Sequence, residues 1–426
     1  MEANNNVATP ESHTIENSLI LEVLRSIEAI DQTSELQKKL EKVPELLRKN
    51  KERGKPFDPV SVAIGPYHHF DEHLAGMEDH KKAATYDFTG TQMDVFCHKV
   101  AGVAQEAKRM YLDVPPEMSE SDFTLMLFFD GFFVLHFIDK FVNKSNEQRM
   151  SRHLHGFILR DMFLLENQIP YIVLDALMSV RKVDIDKFLN QIMGIGAIGN
   201  DVASRPQGRA HLLAHLREKH LGQKIDNDVR LCWVEDNSWL SFRSAKKLSA
   251  AGIKLCQSGR PDMRSVRFEP HYFGGKLMLP WMVVDDLTRS RLLNMVAFEM
   301  CTRVRSDYGI TSFVWLLDFL IDHADDVKEL CEKGIFFNAL GSDEQVADLF
   351  NEIASDLVPD QQAYNHVLKQ IACHTKKNIR NEIYKWTHQL IDTHFSSPWT
   401  AISLVAAVVL LVLTVVQTIF TIRAAK

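Results

Sequence analysis

Two histidine groups are the densest sets of side chains here that could carry chemistry. In Tyr67–His73 (YHHFDEH), His69 and His73 stand four apart, a spacing that puts two imidazoles on one face of a helix. With Asp71, Glu72 or His80 they could hold a divalent metal, which would make the chain a metal-dependent enzyme. Gly65-Pro66 just upstream predicts a turn instead, and the string is not HExxH, so structural or surface histidines are the plainer explanation. His211 and His215, in HLLAHLREKH, receive the same reading. Asp322, Asp325 and Asp326 lack the spacing of a calcium loop and read as a solvated helix face. The pair Asp285-Asp286 is too common a pattern to mark acid–base catalysis. The small-residue stretch within residues 190–210 (GIGAIGNDVASRPQG) has no GK[ST] ending, so it is read as a flexible insertion and not as a phosphate loop. No nucleophile elbow, dinucleotide fingerprint or kinase signature occurs. Catalytic, cofactor-binding and metal-ligating residues are therefore all assigned as none, and the chain is expected to be non-enzymatic.

Glu166-Asn167-Gln168 sits inside an otherwise core-like run, RDMFLLENQIPYIVL. Burying such groups unpaired costs about 1–3 kcal/mol each. They are expected to bond to backbone near Pro170 or to cap the following helix, a structural role.

The elements around these residues are mostly helical. Ile15, Leu19, Val23, Ile27 and Ile30 share a helical face, and Ser34 with Gln37 forms a capping box before Leu36–Leu47. RKNKERGKPFDP reads as a solvated basic linker. Phe96, Val100, Val103, Ala107 and Tyr111 predict an amphipathic helix closed by Pro115-Pro116. Ser119 and Asp122 cap FTLMLFFDGFFVLHFIDKFV, apolar on nearly every side and read as a buried central helix; Pro170 then breaks or restarts the next one. IKLCQ, SVRFE and KLMLPWMVV read as strands, with Gly274-Gly275 as a hairpin turn. Ser342 and Gln345 cap EQVADLFNEIASDL, and Tyr364, Leu368, Ile371, Ile379, Trp386 and Leu390 line a long helix beyond it. The expected fold is mainly α: a helical globular domain with a small β-hairpin or meander insert and one C-terminal transmembrane helix. The expected organisation is a polar tail and first helix at 1–33, the main domain at 34–395 with the insert near 250–285, and a membrane span at 399–422.

That span is the strongest signal in the sequence. No charge occurs between Phe395 and Ile422, and Ala401–Ile422 would rise about 33 Å as a helix, enough for a hydrocarbon core of about 30 Å. Trp399 at one end and Arg423 and Lys426 at the other suit membrane interfaces. The N-terminus has no signal-peptide pattern, so the layout is that of a tail anchor with residues 1–395 in the cytosol; glycosylation at the Asn143 sequon would show the opposite topology. In 426 residues, 46% are hydrophobic and 25% charged, as in ordinary globular proteins. Lys+Arg is 49 against Asp+Glu 56, a net charge of −7 that argues against a nucleic-acid partner. The six widely spaced cysteines read as reduced thiols.

VSVAIGPYHH, MEDHK, LRDMFLLENQIPYIVL, NMVAFEMC, GSDEQVADLFNEI and FSSPWTAISLVAAVVLLVLTVVQTIF follow one another in this order. Together they resemble the plant family called domain of unknown function 247, over roughly Leu40 to Ile422. Leu40–Pro44 (LEKVP) departs from the usual Ile-Tyr-Arg-Val-Pro, and Phe70 stands where a glycine often follows the paired histidines. The resemblance implies a mainly helical plant protein with one C-terminal membrane segment and no established catalytic residue. Its best-supported role is that of pollen determinants of self-incompatibility in grasses. The expectation is a plasma-membrane recognition or signalling protein, with the bilayer and a protein as partners and no cofactor; the alternatives are an anchored metal-dependent enzyme and a generic membrane-associated scaffold.

Overall fold

The structure is a computed structural model that describes residues 40–49, 55–143, 152–195, 209–223, 244–271, 274–301, 307–355, 357, 359–360, 363–377 and 398–424. The helix expected over Ile15–Ile30, the Ser34 capping box, Cys232, residues 196–208, Ile379, Trp386 and Leu390 lie outside the described residues.

A single turn, Glu45–Arg48, precedes α1 (Glu78–Thr89), α2 (Met93–Arg109) and α3 (Glu120–Val142). The Ser119 side chain accepts from Asp122 N–H at 3.1 Å and so satisfies one of the free amides that open α3. Buried on nearly every side, α3 packs against α1, α2, α5 (Tyr171–Met178) and α6 (Ile185–Ile192), and α4 (Arg152–Asp161) comes just before α5 in the chain. Phe132 of α3 meets Phe96, Phe128 and Phe88 at ring separations of 5.0, 4.8 and 5.5 Å, edge-on or tilted as aromatic quadrupoles prefer. Pro170 caps α5, but the helix before it has already ended at Asp161.

The second half of the core is built on α7 (Leu212–Leu221), then α9 (Thr288–Cys301), α10 (Gly309–Leu320), α11 (Ala324–Glu332), α12 (Asp343–Ala354) and α13 (Asn365–Lys377). Between them lie the short α8 (Ala245–Ala250) and the β insert. Ser342 caps α12 as expected, accepting from Gln345 N–H at 3.3 Å. Asp326 corrects the reading of IDHADD as a solvated face. It is buried, and its carboxylate accepts from the amides of Asp322, His323 and Lys246, closing the entry to α11.

The insert contains the expected hairpin, between the SVRFE and KLMLP strands, and adds a parallel strand that a meander would not have. β1 (Ile253–Gln257) runs parallel to β3 (Gly274–Leu279), and β2 (Arg267–His271) is antiparallel to β3 on its other side, giving the order β1-β3-β2. Gly274 and Gly275 are in β3 itself and not in the turn. A Cβ on Gly274 would lie 2.4 Å from the Gly252 carbonyl oxygen, and one on Gly275 would lie 2.3 Å from Phe268 Cζ. Glycine is needed here because backbone and ring approach the strand too closely for any side chain. Pro280 follows the end of β3, and the chain resumes as β4 (Met282–Val284), which pairs in parallel with β5 (Phe336–Asn338) in a second small sheet.

The last element is α14 (Pro398–Ala424), 27 residues long. Among the described residues no helix is long and apolar enough to cross a membrane. The expected transmembrane segment is thus present as a helix without being established as a span.

Gly275→Ala is expected to lower the stability of the full-length chain by about 1–3 kcal/mol in denaturant unfolding, the usual range for an overpacked site. A Gly275→Ala/Phe268→Leu double variant should recover part of the loss. Strictly additive losses would show that contact with the Phe268 ring is not the cause.

Candidate functional site

The segment from Asp58 to His69 is neither helix nor strand and is buried from Val62 to Pro66, so its backbone amides there need other partners. Side chains from several elements supply them. Asp161, at the end of α4, accepts from the amides of Val60, Ser61 and Val62, the shortest at 2.6 Å, and from the Ser61 hydroxyl at 2.9 Å. Asn167 Oδ1 accepts from Ile64 N–H at 2.6 Å, while its amide nitrogen donates to the carbonyls of Val62 (2.9 Å) and Asp161 (3.0 Å). Asp130, midway along α3, accepts from Gly65 N–H at 2.8 Å. Gly65 has φ +85°, and a Cβ there would lie 2.4 Å from the Gln168 carbonyl oxygen, so only glycine fits.

The other carboxylate oxygen of Asp130 stands 2.6 Å from Lys81 Nζ, which is also 2.6 Å from Glu78 Oε1. Burial disfavours the Lys81 ammonium, but the charges of Asp130 and Glu78 outweigh it and raise its pKa above the ordinary value. Gln168 donates to the carbonyls of Met162 and Leu164 and accepts from Leu213 N–H at 3.1 Å, tying the loop before α5 to the start of α7. On the far side Asn294 of α9 accepts from Leu165 N–H at 2.7 Å and donates to the Pro56 carbonyl at 3.0 Å.

Glu166 lies towards the rim. It accepts from Val43 N–H at 2.6 Å and pairs with Arg48 at 2.9 Å, and Arg48 also meets Asp58 at 2.7 Å. Arg48 had been assigned to a solvated basic linker; this carboxylate pair draws it in. His68 Nδ1 lies 2.8 Å from Asp71, and its Nε2 stands 3.6 Å from Glu166, an ion-pair separation too long for a hydrogen bond. Burial disfavours the His68 imidazolium, but Glu166 and Asp71 together outweigh it and raise its pKa above the ordinary value of 6.5. Burial likewise pushes Glu166 up, and His68, Arg48 and the Val43 amide outweigh it, leaving the carboxyl below its usual range.

The sequence-derived candidates are placed as follows. His69 packs edge-on against Phe70, His73 approaches the Pro59 carbonyl at 3.3 Å, and His80 is exposed. Among the described residues no three His, Cys, Asp or Glu side chains are grouped as a metal would require. His211 caps α7 by accepting from Ala214 N–H, and burial lowers its pKa to about 3, so it is neutral. His215 lies between Tyr171 (3.2 Å) and Asp186 (3.1 Å). Asp285 pairs with Arg291. Cys97, Cys256, Cys301, Cys331 and Cys373 are free thiols. Glu166, Asn167 and Gln168 do bond to backbone, in part within the Asp161–Asn167 segment that leads to Pro170 and in part to the distant Val43, Val62, Ile64 and Leu213. The sequence reading missed that Lys81, Asp130, Asp161 and Asn294 share this network. The available signal was a polar residue inside an apolar run, as in FFDGFF and LLNMVAF.

Chemically, the inner part of this knot fixes backbone. Lys81, Asp130, Asp161, Asn167 and Asn294 are almost wholly buried, out of reach of a substrate. Asn167→Ala should destabilise the chain by about 3 kcal/mol or more in denaturant unfolding, because a buried donor and two acceptors lose their partner; a loss under about 1 kcal/mol would mean that Ile64 N–H has found another acceptor. The rim is pH-sensitive. The stabilisation from His68 is complete below about pH 6.5 and is lost as pH rises through its raised folded value. That from Glu166 is complete above about pH 4.5 and is lost as pH falls through its lowered value. The stability gap between wild type and His68→Gln should therefore shrink as pH is raised from about 6 to 9. A gap independent of pH would show that the imidazole carries no charge.

Residues 40–413 match the DUF247 family, described as plant protein of unknown function. UPF0481 protein At3g47200 of Arabidopsis thaliana is 28% identical over 405 residues, covering 85% of this chain and 82% of that protein. Putative UPF0481 protein At3g02645, also of Arabidopsis thaliana, is 24% identical over 179 residues, 42% of this chain and 32% of that protein. No solved structure matches the chain. With the family match spanning most of its length, the chain belongs to the DUF247 family of plant proteins of unknown function.

Proposed function

We propose that this plant protein is a membrane-anchored recognition or signalling component that acts by binding a protein partner and not by catalysis. The observation that carries the anchor is the character of α14. It is 27 residues long, about 40 Å of rise, and Ala401–Ile422 within it has no charge. Val409, Leu410, Leu411, Val412 and Leu413 are each more than half exposed. Five successive helical positions point in all directions around the axis, so no single protein surface could cover them, whereas lipid could. Thr414, Thr418 and Thr421 return their hydroxyls to the carbonyls four residues back, leaving no threonine donor to be desolvated.

The non-enzymatic part of the reading is supported by how the motif side chains are used. The groups able to do acid–base chemistry at the knot are engaged with the protein's own backbone and with each other. The most specific form of the reading, a pollen determinant of self-incompatibility, is supported by the family resemblance alone. Disrupting the gene in a self-incompatible grass tests it, and unchanged rejection of self pollen removes it.

The anchor is tested by alkaline carbonate extraction of membranes carrying the full-length chain. The protein should stay in the pellet and be released only by detergent. A Leu410→Lys/Leu413→Lys variant should partition to the supernatant, since each lysine at mid-bilayer costs about 3 kcal/mol. Release of the wild-type chain by carbonate would end the proposal.

A further inference from the structure

A second region of the molecule is built differently from the knot. Between α7, α9 and the start of β4 lies a small cleft of about 40 Å³ that opens to solvent on one side. Its walls include Ile192, Met193, Met263, Trp281, Met282 and Phe313. Methionine thioethers adapt to irregular shapes, and Trp281 offers a flat face.

Three polar residues also line it, Arg291, His220 and Thr288. Arg291 Nη2 donates to both oxygens of Asp285, at 2.5 and 2.7 Å, and the Thr288 hydroxyl donates to the same carboxylate at 2.8 Å. This pair is neutral overall. Arg291 Nη1 makes only a long contact, 3.4 Å, with the Ile192 carbonyl and so retains donor capacity. His220, in the last turn of α7, has no hydrogen-bond partner among the described residues. Burial and the nearby Arg291 charge lower its pKa to about 3, so the ring is neutral and offers one donor and one acceptor. The cleft thus combines apolar walls, unused hydrogen-bonding groups and no net charge. An anion entering it would be desolvated beside a cation already paired to Asp285.

We infer that this cleft binds a small, uncharged, largely apolar molecule, favouring an aromatic ring that bears a carbonyl or hydroxyl oxygen. The ring lies among the methionines and Trp281, and the oxygen meets Arg291 and His220. Nothing in the proposed recognition role requires this site, and the inference stands apart from it.

Fluorine NMR of 4-fluoroacetophenone with the full-length chain in phosphatidylcholine nanodiscs tests it, with 4-fluorobenzoate as the charged counterpart. Saturable broadening of the ketone signal is expected, with Kd on the order of 1 mM or tighter and displacement by unlabelled acetophenone. The benzoate should bind at least about tenfold more weakly, the discrimination that one desolvated charge imposes. Met282→Trp, which fills the cleft, and His220→Phe, which removes the imidazole at similar volume, should each abolish the saturable part while leaving the broadening due to lipid partitioning. A melting temperature within a few degrees of wild type shows that the variant is folded. If one variant fails that check, the other and the displacement experiment decide. No saturable binding, equal binding by both folded variants, or benzoate binding as tightly as the ketone would each overturn the proposal.

Discussion

A buried stretch of irregular chain is the constraint around which this protein is arranged. A helix or strand satisfies its own amides, but Val62–Gly65 cannot, and an unpaired buried amide would cost as much as a lost hydrogen bond. The core therefore carries acceptors at matching positions: Asp161 for three amides, Asn167 for one and Asp130 for one. Each acceptor then needs support of its own. Asp130 requires Lys81, because a lone carboxylate so deep would be neutralised, and Lys81 requires Glu78 as well. Gly65 has to be glycine, because the loop passes against the Gln168 carbonyl. These demands link residues far apart in sequence, from Val43 through Asn294, into one arrangement.

The parts legible in the sequence were those governed by local periodicity and capping. Ser119 before α3 and Ser342 before α12 do cap those helices, and α3 is the buried central helix that its all-round apolarity predicts. IKLCQ, SVRFE and KLMLPWMVV do contain strands and the last two form the expected hairpin, but the parallel pairing of β1 with β3 was not readable from them. A Gly-Gly pair predicts a turn by its backbone freedom, whereas Gly274 and Gly275 are in a strand because Gly252 and Phe268 press against it. That reason is tertiary, and no local pattern contains it. The parallel pairing of β4 with β5 joins segments about fifty residues apart, and the three-residue β5 gives almost no local signal.

The polar residues show the same limit. Glu166-Asn167-Gln168 was recognisable as a set needing partners, since it interrupts an apolar run. The partners could not be named, because they come from segments more than a hundred residues upstream and about forty downstream. His69, His73 and His80 looked like a metal set because of their spacing, but spacing on a helix matters only if the helix exists. Here the chain passes through a turn and a short 3₁₀ segment, Glu72–Met77, and the imidazoles part company. Arg48 is the reverse case: its basic neighbours suggested solvent, yet one carboxylate, Glu166, was enough to bring it inward.

The inward orientation of the motif side chains has a consequence for reading this family. Val62–Pro66 of VSVAIGP, the lysine of MEDHK, the polar trio and the first residue of NMVAFEMC are structural joints, buried inside the protein. A sequence that retains them announces that its scaffold assembles, much as matching mortises announce the same frame. Two members sharing every such joint remain free to present unrelated exteriors, so what distinguishes one from another is written on surfaces where these motifs are silent.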